Sequence, residues 1–141
     1  MVNIGSISFE DIFKDVLFLE NIMISIRNDG GVAELRIDRN TPFRVNGQYA
    51  TIGDEKGSWH VHINTTQVRE AKFVIEEKEN GNKSYSLRFF NSNNSLVLRV
   101  NFMKMYTSDN VPIQESLIQY NRLFAKYGGK ELLTLTPPQV S

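Results

Sequence analysis

Apolar residues recur at three- and four-residue spacing early in the chain, where Phe9, Ile12, Phe13, Val16 and Leu19 would line one face of a short helix. Ser8 followed by Asp11 supplies a capping-box-like start. The spacing predicts that this helix ends near Asn21, because the period then drops to two. Ile22, Ile24 and Ile26 alternate with Met23, Ser25 and Arg27, and Asp29-Gly30-Gly31 is expected to supply the positive-φ positions of a hairpin turn. Leu35 and Ile37 alternate with polar residues over 32–39. After Asn40-Thr41-Pro42, an extended stretch from Phe43 to Thr51 carries Asn46-Gly47, and Gly53 to Gly57 reads as a polar loop.

Strict alternation returns in Trp59-His60-Val61-His62-Ile63, a strand by its period, and a further strand is expected at about residues 70–78. Glu79-Asn80-Gly81-Asn82 is a hairpin signal between that strand and the one marked by Tyr85, Leu87 and Phe89. Asn91 to Asn94 turns the chain again before Leu96, Leu98, Val100 and Phe102. The last expected element is a helix with Ile113, Leu117, Tyr120, Phe124 and Tyr127 on one face, capped by Asn110, with Pro112 in its first turn and Gly128-Gly129 stopping it. Six or seven strands with turns too short for parallel crossovers predict an α+β domain. It would be a mostly antiparallel meander with an N-terminal and a C-terminal helix packed on it.

The length of 141 residues suits one such domain, expected over 1–136 with 137–141 as a frayed tail. With hydrophobic residues at 40% and only 9 Gly and 4 Pro, collagen-like and disordered chains are excluded. Sixteen Lys and Arg balance sixteen Asp and Glu, so no global field drives the chain to nucleic acid or to an anionic membrane. Met1 to Gly5 lacks the basic and apolar regions of a secretory signal, and no run of apolar residues is long enough to span a bilayer; a cytoplasmic setting is expected.

The absence of cysteine removes disulfides, thiolate metal sites and thiol catalysis together, and the two histidines, His60 and His62, concentrate all imidazole chemistry in one strand. Residues i and i+2 of a strand face the same way about 7 Å apart. Both imidazoles therefore share one face while Trp59, Val61 and Ile63 share the other. The pair could be solvated strand histidines, a general acid or base, or ligands to a transition metal. A stand-alone zinc or iron site wants three or four protein ligands, leaving only carboxylates such as Glu70, Glu76 and Glu77 to complete it. A cupin site is excluded, because positions 66 and 67 are Thr and Gln and no later histidine exists. Haem needs only one axial ligand from the protein, since the porphyrin supplies four nitrogens. Glu76, Glu77 and Glu79 read as a solvated strand end. Arg88 and Arg99, on neighbouring strands, are weak candidates for a haem propionate and otherwise pair with cross-strand carboxylates. No nucleophile elbow, P-loop or dinucleotide fingerprint occurs.

Several stretches together resemble one family. Gly57-Ser58-Trp59-His60-Val61-His62-Ile63, Ala71-Lys72-Phe73-Val74, Ser86-Leu87-Arg88-Phe89-Phe90, Leu96-Val97-Leu98-Arg99-Val100 and Tyr120 through Gly128 follow the order of motifs in the ChuX/HutX-type haem-utilisation proteins, small intracellular haem carriers. The resemblance spans about Asn21 to Gly128 and departs at the turns over 77–82 and 105–109. It implies an antiparallel sheet with helices packed on it, a homodimer, and haem held through a histidine. His62 falls closest to the family's position, with His60 one pleat away as the alternative. The expected function is haem binding and trafficking in haem or iron utilisation, without chemistry of its own. The alternatives are a haem-degrading enzyme of the same superfamily and a dimeric interaction module that has lost haem.

Overall fold

The capping box at Ser8 forms. Its hydroxyl accepts from the Asp11 N–H at 3.1 Å, and the Asp11 carboxylate accepts from the Ser8 N–H at 3.1 Å, which starts helix α1, Phe9–Leu17. The computed structural model describes residues 6–138; the expected signal-free start and residues 139–141 of the expected tail lie outside the described residues. Helix α1 stops at Leu17 rather than near Asn21, since Phe18 caps it and Asn21 turns the chain with a φ of 58°.

Among the described residues nine strands follow in chain order: β1 Ile22–Asn28, β2 Gly31–Ile37, β3 Phe43–Asn46, β4 Tyr49–Gly53, β5 His60–Asn64, β6 Glu70–Glu77, β7 Lys83–Phe90, β8 Leu96–Phe102 and, after helix α2 Gln114–Lys126, β9 Leu132–Thr134. The β1–β2 turn differs from the expected one, because neither Gly30 nor Gly31 has positive φ. Gly31 already pairs with Asn28, and the Asn28 side chain accepts from the Gly30 N–H at 2.8 Å. The stretch over 43–51 is a hairpin that turns at Gly47, φ 61°. Helix α2 begins without a side-chain cap at Ile113; Asn110 instead sits in a tight turn with φ 63°, its N–H donating to the Thr107 carbonyl. Pro112 lies before the helix, bridged to Tyr106.

The strands form two antiparallel sheets, one of six strands in the order β2-β1-β8-β7-β6-β9 and one of three in the order β3-β4-β5. Alternation sorts the residues of the large sheet. Ile24, Val100, Leu87 and Phe73 form one inward rung, while Ser25, Arg99, Arg88 and Lys72 form an outward one. Helix α1 lies between the sheets: Phe9 meets Phe89 of the large sheet edge-on at 4.9 Å, and Phe13 meets Phe43 of the small sheet at 5.1 Å. Helix α2 covers the other end of the inner face, with Tyr120 packed edge-on against Phe73, Tyr85 and Phe102. One hydrophobic cluster thus runs from Ile7 to Leu135 and gathers both helices and both sheets. Each of its fully buried large side chains contributes about 1.5–3 kcal/mol of transfer free energy. Among the described residues no helix is long and apolar enough to cross a membrane.

Candidate functional site

The small sheet presents the histidines. Phe43, Val45, Ala50, Ile52, Val61 and Ile63 turn inward to the core, so the intervening residues face out. In register across three strands stand Arg44, Thr51 and His62, with Gly53 opposite His60 one pleat along. Gly53 has a φ of 93°, and a Cβ there would lie 2.7 Å from the Trp59 ring and 2.7 Å from the Trp59 carbonyl. Only glycine lets Trp59 close against β4 at the point where β5 begins.

Both imidazoles are exposed, edge-to-face with their centroids 4.9 Å apart. Across the ladder, Thr51 Oγ1 lies 3.0 Å from His62 Nδ1. Thr51 is buried, so its hydroxyl is a fixed partner rather than a solvent-tumbled one. When Nδ1–H donates to Thr51, His62 Nε2 carries the lone pair, and it has no hydrogen-bond partner among the described residues. Beside it, Arg44 is ion-paired with Glu55. That contact with Arg44, with both histidines adding a smaller attraction, holds the Glu55 carboxyl below the usual carboxylate range. Arg44, Asn46, Tyr49, Thr51, Glu55 and His62 line an open groove of about 370 Å³.

One imidazole with its inner nitrogen anchored is a donor set suited to an iron whose other ligands come from a porphyrin. It falls short of a bare metal ion: among the described residues no group of three or more His, Cys, Asp or Glu could hold one. Glu70, Glu76 and Glu77 lie on β6 of the other sheet. Thr51, Arg44 and Glu55 were not singled out by sequence reasoning. The hairpin turns at Gly47-Gln48, with Asn46 paired to Tyr49, and it is this register that sets Arg44 opposite Thr51 and Thr51 opposite His62; nothing in the spacing announces it.

Arg88 and Arg99 stand directly opposite each other on the outer face of the large sheet, a different surface from the one that carries the histidines. Arg88 is ion-paired with Glu76 across the β6–β7 hairpin, and its Nε donates to Ser86 Oγ at 3.1 Å. Arg99 has no such partner, and its Nε is buried without a hydrogen bond among the described residues.

The same architecture occurs in solved structures. A crystal structure of ChuX superposes with a TM-score of 0.69 at 16% identity, covering 86% of this chain and 73% of that one. A structure of the haem-binding protein ChuX gives a TM-score of 0.67 at 15% identity, covering 84% and 71%. A protein of Agrobacterium tumefaciens gives 0.65 at 14% identity, covering 90% and 74%. At such identities the likeness is one of fold. No curated protein matches the chain in sequence. A family model, however, matches residues 10–128, which span α1, both sheets as far as β8, and α2. The chain belongs to the ChuX/HutX-like haem-utilisation family.

Proposed function

We propose that the protein binds haem and passes it on, with His62 as the axial ligand. The observation that carries this reading is the Thr51–His62 hydrogen bond, which orients the ring through Nδ1 and leaves Nε2 open on an exposed face, a lone-pair donor when Nδ1 carries the proton. Bound haem would supply the equatorial nitrogens and the redox-active iron. The chain's own part is to hold the imidazole through Nδ1, to offer the half-exposed ring of Tyr49 as a flat neighbour, and to place the Arg44 guanidinium, paired with Glu55, beside the groove. A groove open to solvent leaves much of the porphyrin reachable by a second protein, which favours hand-over rather than burial for chemistry. His60, one pleat away, is the alternative ligand. The reading includes a homodimer, implied by the family.

Hemin titrated into the apo-protein should give a saturable Soret shift that His62→Ala weakens at least tenfold and His60→Ala weakens less. No saturable shift, or equal binding by the His62→Ala variant, overturns the assignment. Loss of the Soret band with product formation under ascorbate would replace the carrier with a haem-degrading enzyme. Light scattering that returns the mass of one chain removes the dimer.

A further inference from the structure

The chain carries no net charge, yet its cations are not evenly spread. On the outer face of the six-stranded sheet a groove of about 320 Å³ is lined by Arg27, Lys78, Lys83, Arg99 and Lys104 and by a single carboxylate, Glu34. None of these cations takes part in a salt bridge among the described residues; the ion pairs fall on Lys14, Arg39, Arg44, Arg88 and Lys126 instead. The groove shares no lining residue with the one beside His62.

The floor is the most telling part. Arg99 projects from β8 with Arg88 directly opposite on β7 and Ser25 on its other side. Like charges directly opposed in a sheet destabilise it. The neighbouring serines do not relieve the charge: the Ser25 hydroxyl accepts from Asn101 Nδ2 at 3.1 Å, and Ser86 accepts from Arg88. Arg99 Nε is left buried and unpartnered, a donor that a folded protein ordinarily satisfies. Burial first, and then the charges of Arg88 and Arg27, lower the pKa of the Arg99 guanidinium from its usual value, and the smaller attraction of Glu76, itself ion-paired with Arg88, does not offset them.

We propose that this groove is a binding site for a small multivalent oxyanion, held by Arg27 and Arg99 from the strands and by Lys83 and Lys104 from the rim. Guanidinium groups match carboxylate and phosphate oxygens through paired N–H donors, and lysines add charge at the edge without demanding one geometry. The volume suits a small molecule rather than a polymer. A divalent or higher charge is what several separated cations select over chloride.

The test is calorimetric titration of the full chain at low ionic strength with inorganic pyrophosphate and, in parallel, with citrate. The two arms distinguish a phosphate-bearing ligand from a polycarboxylate. The expected result is saturable one-to-one binding of at least one of them, weakened at least tenfold by Arg27→Gln or Arg99→Gln and unchanged by Lys14→Gln, which removes a charge on α1. Lys83→Gln and Lys104→Gln, both at the exposed rim, carry the test where Arg99→Gln does not fold, as read by circular dichroism. Absence of saturable binding with both anions, or binding that the groove variants leave within twofold of the native protein, overturns the proposal.

Discussion

Thr51 Oγ1 lies 3.0 Å from His62 Nδ1, directly across the β4–β5 ladder. A hydroxyl so placed occupies Nδ1 and leaves Nε2 as the open ring nitrogen, a metal-binding one in the tautomer that carries its proton on Nδ1. Partners of this kind are typically worth about 10–100-fold in metal affinity. Thr51→Val keeps the shape and removes the hydroxyl, and hemin titration of that variant should show about tenfold weaker binding with the fold intact.

Gly53 makes a second, purely steric prediction. Its positive φ and the 2.7 Å approach of Trp59 leave no room for a methyl group. Gly53→Ala should destabilise the protein by about 1–3 kcal/mol in urea unfolding, the range for strained backbone positions. Because Gly53 pairs with His60, the same variant should also disturb hemin binding.

Alkaline pH should unfold the protein through its buried phenols. Burial, with smaller effects from Tyr85 and Glu131, pushes the Tyr120 phenol up to about 12. Tyr127 is also raised, by burial and by its hydrogen bond to the Asp15 carboxylate. In the unfolded chain these groups ionise near pH 10, so above about pH 10 the unfolded state holds fewer protons and stability falls as pH rises. Denaturation monitored from pH 8 to 12 should show stability held up to about pH 10 and then lost. Tyr120→Phe should flatten that loss.

Arg99 and Arg88 should respond in opposite directions to the same change. Arg99→Leu removes one of two opposed cations and an unsatisfied buried donor, and should raise stability by about 1 kcal/mol. Arg88→Leu breaks the bonds to Glu76 and Ser86 and should lower it. Thermal unfolding of the two variants side by side checks the contrast.

Much of this architecture is written in period-two and period-three-to-four spacing. The alternation at Ile22 to Arg27, around the histidines, and in β7 and β8 correctly assigns faces, because one side of each strand meets the same core. The features that escape the sequence are those decided by partners distant in the chain. Alternation does not say which strands pair, so the division into two sheets is hidden, as is the place of β1 beside β8. Strand β9 is too short to show a period and exists because Leu132 to Thr134 pair with β6. Asn110 looks like a cap, yet its backbone is used by a turn that hands the helix start to Ile113. At the candidate site, the shared face of His60 and His62 was legible. Thr51 was not, since an inconspicuous strand threonine becomes a histidine anchor only through register.

The two sheets also differ in how the chain must assemble them. The small sheet is contiguous in sequence, residues 43–64, and each of its strands pairs with the next. The large sheet is complete only when β1 meets β8, a junction that pairs Ser25 with Arg99, and β9 meets β6. Hairpins close in microseconds, whereas long-range pairing must first overcome the entropy of the loop it encloses. Pairing across so long a loop is the slow kind of step, and the large sheet needs it where the small sheet does not. Substitutions in the histidine-bearing sheet are therefore expected to act mainly on how fast the folded state comes apart, leaving the surface around His62 free to change without slowing folding.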